Sequence, residues 1–224
     1  IKEGVFMGLK AGIVGLPNVG KSTLFNAITN SHVEAANYPF ATINPNVGSV
    51  LVPDERVDNL SKLFHPKRTI YTSFEFFDIA GLVKGASHGE GLGNQFLAHI
   101  RDVDAIIEVV RCFENKDIIH VENSIDPVRD IEIINLELVM ADAETISNRI
   151  GKVSSKATIN KDKEAIFELG ILNKIKAALD NGKAARSVKL NDEEMKLMKN
   201  FNLLTLKPIL YVANVGDGDL ADID

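Results

Sequence analysis

The sequence predicts an α/β fold: a mainly parallel sheet with helices between its strands and an α-helical, coiled-coil-like arm inserted before the last strand. Three observations carry this. Short apolar runs at 11–14, 74–77, 105–110 and 208–213 alternate with segments of helical period, as in strands joined by crossover helices. The first run leads through a glycine-rich turn directly into a helical pattern. From Asp130 the apolar spacing stays helical far longer than one crossover needs.

Ala11-Gly12-Ile13-Val14 reads as a buried strand, and Thr23-Leu24-Phe25-Asn26-Ala27-Ile28 as the start of a helix. Between them, Gly15-Leu16-Pro17-Asn18-Val19-Gly20-Lys21-Ser22 fits the phosphate-binding pattern GxxxxGK[ST]. Backbone N–H groups of such a loop and the positive end of the helix dipole converge on one anion. Lys21 adds a point charge for the outer phosphates. Ser22 offers a hydroxyl of the kind Mg²⁺ accepts beside phosphate oxygens and water. The competing reading, a glycine-rich turn with a surface lysine, does not explain the strand and helix on either side.

Residues 35–42 are polar and broken by Pro39, so they read as a loop carrying the hydroxyl of Thr42. Residues 47–52 and 69–78 read as strands flanking a short helix at 56–64. The second strand delivers Asp78-Ile79-Ala80-Gly81, the string DxxG. Asp78 stands where P-loop enzymes hold Mg²⁺ through a water, and the Gly81 N–H where a backbone can sense the terminal phosphate. Residues 81–93 are dense in glycine and read as a switch segment. A helix at 94–101 and a buried strand at 105–110 follow.

Helical stretches at 130–156 and 161–179, joined through a polar turn at 154–161, make an antiparallel hairpin. A short helix at 192–199 leads back to the final strand at 206–213, which reads as buried. The nucleotide-binding domain is therefore assigned to 7–122 and 205–224, and the arm to 123–204. Ile1 to Phe6 share none of the pattern and read as foreign residues before a native start at Met7. Only a polar tail follows the last apolar run, which suggests part of a longer protein.

The chain has 224 residues, a formal net charge of −6 and a pI near 5.4. That charge argues against broad electrostatic capture of nucleic acid, and no direct DNA binding is expected. A polyanionic partner would need a local basic patch. Cys112 is the one cysteine, so there is no disulfide framework, and it reads as a semi-buried thiol at a strand end rather than a nucleophile. No run is long and apolar enough to cross a bilayer, and the cytoplasm is the expected compartment.

The P-loop string, Tyr38-Pro39-Phe40-Ala41-Thr42, residues 78–86 from Asp78, and Arg111-Cys112-Phe113-Glu114-Asn115 together resemble the Obg-like ATPase (YchF) family of translation-factor-class P-loop proteins. The likeness runs from Met7 through nearly the whole chain. It implies ATP hydrolysis with Mg²⁺, a ribosome-linked partner, and a C-terminal TGS domain that this sequence lacks. It implies that Gly15 opens the phosphate loop and that Asn18, Val19, Gly20, Lys21, Ser22 and Thr23 surround the phosphates, with Gly81 at the terminal one. Ser22, Thr42 and Asp78 then serve the metal. Asn18 also stands where some relatives hold a monovalent cation, which makes K⁺ a candidate cofactor.

Two departures matter. Leu82 replaces the water-orienting glutamine of related GTPases, and an alkyl group can neither donate to water nor accept from it. The resemblance offers His120 instead, to orient or deprotonate the water, against the plain alternative of a partly buried structural histidine. Base choice would fall to Asn214, Val215 and Asp217 in Asn214-Val215-Gly216-Asp217. The string lacks the lysine of the guanine-reading motif, as the family does, and the resemblance therefore implies a preference for ATP, while Asp217 in place of the family's glutamate keeps GTP in competition. Beside a hydrolase stand a nucleotide-gated binding module with negligible turnover, favoured by Leu82, and a small-molecule kinase, disfavoured by the DxxG string.

Overall fold

The computed structural model describes residues 8–30, 47–79, 92–115, 118, 120–122, 124–216 and 218. Thr42, Gly81, Leu82 and Asp217 lie outside them, as do most of the glycine-rich segment and the proposed start at Met7.

Among the described residues five strands form one sheet: β1 (Leu9–Val14), β2 (Val47–Leu51), β3 (Ser73–Asp78), β4 (Ala105–Arg111) and β5 (Ile209–Asn214), in the spatial order β2-β3-β1-β4-β5. β1 runs parallel to β3 and β4, and β4 parallel to β5. β2 runs antiparallel to β3 at one edge. Apolar runs alone do not carry that reversal, because strand direction depends on the connection rather than on the residues buried.

The helices are α1 (Lys21–Asn30), α2 (Glu55–Phe64), α3 (Leu92–Arg101), α4 (Pro127–Thr158), α5 (Lys163–Asp180) and α6 (Asp192–Met198). α4 starts earlier than its apolar period suggests. Asp126 caps it by accepting from the Arg129 N–H at 3.1 Å, and Pro127 fits the first turn, where its missing N–H costs nothing. Asp162 caps α5 through the Ala165 N–H, so the hairpin turn is shorter than predicted.

Two cores result. Ile13, Val14, Phe25, Phe96, Ile100, Ile106 and Val109 pack around the sheet, and the first turns of α4 join them through Ile134, Leu138 and Ala141. Farther along, Ile146 of α4 meets Ile171, Leu172, Ile175 and Leu179 of α5 and Met198 of α6. Each fully buried Ile or Leu contributes about 1.5–3 kcal/mol, so α4 belongs to both units and the arm is anchored by its own base. Asp142 secures the return to the sheet. Its carboxylate accepts from the Leu204 N–H (2.9 Å), the Thr205 N–H (2.7 Å) and Thr205 Oγ1 (2.7 Å).

β5 differs from the buried strand expected. Leu210 and Tyr211 are exposed, and among the described residues no strand pairs with its outer edge. An apolar run reports that a strand packs well, whereas its place in the sheet is set by which neighbours it finds.

Candidate functional site

The site lies at the carboxyl end of β1, where the chain must turn sharply from a buried strand into α1. Gly20 has φ +101°, and a Cβ there would stand 2.5 Å from the Asn214 amide nitrogen. A Cβ on Gly15 would stand 2.5 Å from the Val109 carbonyl oxygen. Asn18, with φ 62°, takes the left-handed conformation that Asn tolerates better than most residues. Val19 points inward and is buried, pinning the middle of the loop to the core.

Lys21 is 8% exposed, and its Nζ donates to the Leu16 carbonyl at 2.8 Å, so the ammonium lies inside the curl of the loop. Burial pulls its pKa below that of an ordinary lysine, while the Asp78 carboxylate opposes the shift. Such a charge, taken out of water without a full shell of partners, gains from an anion delivered to the loop. Ser22 Oγ donates to Asp78 Oδ2 at 2.7 Å, joining the first turn of α1 to the end of β3 across 56 residues of sequence. This hydroxyl and carboxylate are hard oxygen donors of the type Mg²⁺ selects, so the residues present fit that ion. Thr23 is exposed beside them at the head of α1.

Asn214 braces the loop from the far side. It ends β5, and its Nδ2 donates to the Val19 carbonyl at 2.9 Å, while its own carbonyl accepts from the Cys112 N–H at 2.7 Å. The sequence offered Asn214 for base choice and did not predict that it holds the phosphate loop in shape. Val215 follows it, half-buried. Cys112 is half-buried, and burial raises its pKa, with the Asp130 carboxylate adding to the shift.

The segment after β4 is organised by Arg111, which sequence reasoning passed over. This guanidinium is almost wholly buried and donates to three carbonyls: Phe113 (3.1 Å), Asn115 (3.0 Å) and Ile118 (3.0 Å). An arginine ending an apolar strand was the available signal, since its five donors must find acceptors if it is buried. The described part of that segment leads to His120, which is also buried. The Glu122 N–H donates to Nδ1 at 3.2 Å, which leaves the ring proton on Nε2 to donate to Asp130 Oδ2 at 2.8 Å. Asp130 also accepts at Oδ1 from Arg129 Nη2, 2.9 Å away. Both imidazole nitrogens are thus engaged.

The structure therefore brings together Gly15, Asn18, Val19, Gly20, Lys21, Ser22, Thr23, Asp78 and Asn214, with Val215 adjoining. His120 is held in its own hydrogen-bonded pair with Asp130. Among the described residues no cluster of His, Cys, Asp and Glu could alone hold a metal ion, and no helix is long and apolar enough to cross a membrane.

The sequence profile of the 50S ribosome-binding GTPase family matches residues 10–143. The ribosome-binding ATPase YchF of Bacillus subtilis is 61% identical over 216 residues, covering 96% of this chain and 59% of that protein. Its counterpart in Mycoplasma genitalium is 59% identical over 216 residues, covering 96% of this chain and 58% of that protein. The solved structure of the Schizosaccharomyces pombe YchF GTPase superposes with a TM-score of 0.80 at 42% identity, covering 95% of this chain and 58% of that one. This chain thus spans less than two thirds of the length of these relatives.

Proposed function

We propose, for a chain that belongs to the 50S ribosome-binding GTPase family and to its YchF branch, that it binds and hydrolyses ATP as a ribosome-linked, nucleotide-controlled switch in the cytoplasm. One observation carries the reading: Ser22 Oγ and Asp78 Oδ2 meet at 2.7 Å beside the buried Lys21. That contact joins the phosphate loop to the DxxG strand at one point. The likeness to ribosome-binding proteins supports the partner.

In the proposed reaction a water oxygen forms a bond to the terminal phosphorus as the bridging P–O bond breaks in line. The electron pair stays with ADP, and the water proton leaves with phosphate. The loop amides at 18–23 bind and orient the phosphates, and Lys21 offsets the charge that shifts toward the leaving oxygen. Ser22, Thr42 and Asp78 would hold Mg²⁺, which supplies further neutralisation of the phosphate oxygens. Gly81 lends its N–H to the terminal phosphate. His120 can orient or deprotonate water only after leaving Asp130, because neither ring nitrogen is free in the pair. Hydrolysis is correspondingly slow until something releases it.

Two measurements test this. Phosphate release should stop when EDTA removes Mg²⁺ and should be faster in K⁺ than in Na⁺; equal rates in the two salts would remove potassium and the proposed role of Asn18 in holding it. Dissociation constants should favour ATP over GTP, with Asp217→Glu changing that order little. Tighter GTP binding, weakened by the substitution, would mean that Asp217 reads guanine and that the substrate is GTP.

A second reading, a binding module whose turnover is negligible, is favoured by the engaged imidazole and by Leu82. Turnover that stays near background even with ribosomes present would establish it.

A further inference from the structure

A chain with net charge −6 offers a polyanion little unless cations gather locally, and they do so around the carboxyl end of α2. From Asn59 to Thr72 there is no carboxylate, while Lys62, Lys67 and Arg68 supply three positive charges, all exposed. The acidic groups of this unit, Asp54, Glu55 and Asp58, lie toward the other end of the helix, and two are engaged: Asp54 with Arg56, and Asp58 with the Tyr71 hydroxyl. The helix dipole accounts for Lys62 in the last turn. It does not account for Lys67 and Arg68, which lie beyond the helix.

The same surface is apolar without being packed. α2 has no buried residue. Leu60, Leu63 and Phe64 fall at i, i+3 and i+4 on one face and are 56%, 69% and 72% exposed. The support behind them is firm. His65 takes φ 44° and its N–H closes the helix on the Ser61 carbonyl. Ser61 and Thr69 share a 2.7 Å hydrogen bond, and the Val52 N–H donates to the Thr72 carbonyl at 2.8 Å.

We propose that the carboxyl end of α2 and residues 65–68 form a docking surface for single-stranded RNA, with Phe64 as the stacking face and Lys62, Lys67 and Arg68 as phosphate contacts. Unpaired RNA presents bases that stack on aromatic rings, spaced along a chain of phosphates. Cations without counter-ions around an exposed ring on rigid support match both features, and Leu60 and Leu63 extend the apolar floor. The surface deepens the ribosome-linked reading by naming ribosomal RNA as its partner and rests on that reading for the partner's identity alone.

The test is fluorescence anisotropy of a labelled single-stranded RNA of about a dozen nucleotides with the purified protein over a range of salt. Phe64→Ala should weaken binding about tenfold, the effect expected for losing one stacked base. Lys67→Gln with Arg68→Gln should weaken it further and flatten the log–log salt slope by about 1.4. All three positions are exposed, so circular dichroism and ATP affinity should match the wild type. No wild-type RNA binding, or variants that bind as the wild type does, overturns the proposal; so does a wild-type dimer that these substitutions dissolve, which would make the patch a protein interface. Co-sedimentation with ribosomes separates the two readings. A wild type that pellets together with equally pelleting variants sinks the RNA surface and keeps the ribosome partner. A wild type that does not pellet, yet binds RNA through Phe64, keeps the surface and removes that partner.

Discussion

Lys21→Ala should slow phosphate release from ATP by at least about a hundredfold, the scale on which removing one preorganised charge-stabilising donor acts. The argument rests on position. Lys21 Nζ is held within the loop by the Leu16 carbonyl, is shielded from water, and has Asp78 as its electrostatic counterweight. A charge so placed strengthens as the bridging oxygen gathers electrons, so its loss should lower kcat more than it raises KM. Lys21→Met separates charge from packing: it keeps most of the buried alkyl stem and should be nearly as inactive. Melting temperatures should stay close to that of the wild type, because the substitution relieves a desolvated charge while leaving one carbonyl unpaired. A lysine variant that retains a tenth or more of wild-type kcat, measured by phosphate release, would mean that the loop amides do the work alone.

The phosphate loop was legible because strand, loop and helix each leave a local signature and the motif fixes their order. The strand at 105–110 was equally plain, since five apolar residues out of six, broken only by Glu108, admit few other readings. What escaped the sequence was pairwise. Nothing local says that Asn214 reaches Val19, that Arg111 gathers the carbonyls of Phe113, Asn115 and Ile118, or that His120 finds Asp130 at the start of α4. These contacts are set by how strand ends are brought together, and the intervening loops carry no period. The exposure of β5 escaped for the same reason. The basic and apolar end of α2 was visible as composition, yet only the absence of packing against α2 turns it into a surface.

Glu108 makes stability depend on pH in a direction opposite to most carboxylates. It was written in the sequence as a lone acid inside an apolar strand, and the structure buries it completely with neither oxygen hydrogen-bonded. Its register partners are Val14 on β1 and Tyr211 on β5. Desolvation lifts its pKa from 4.5 to about 8, with the Arg186 guanidinium only partly opposing. Arg186 itself is engaged elsewhere, donating to the Thr205 carbonyl at 3.2 Å and to Asn135 Oδ1 at 3.5 Å. Between pH 4.5 and 8 the folded chain therefore holds a proton that the unfolded chain has released. The contribution of Glu108 to stability then falls as pH rises through that window and levels off above it. The full shift corresponds to a loss on the order of 5 kcal/mol, large beside the 5–15 kcal/mol or so of a typical domain. Glu108→Gln removes the titration while keeping the shape and one polar group. It should match the wild type near pH 5 and melt several degrees higher near pH 8.5, by roughly 2–4 °C for each kcal/mol regained. Glu108→Met guards against an amide that finds its own poor fit, and should show the same divergence with rising pH. Melting curves that stay parallel between wild type and both variants from pH 5 to pH 9 would mean that Glu108 is ionised throughout. Arg186 would then have to turn from Thr205 and Asn135 to meet it.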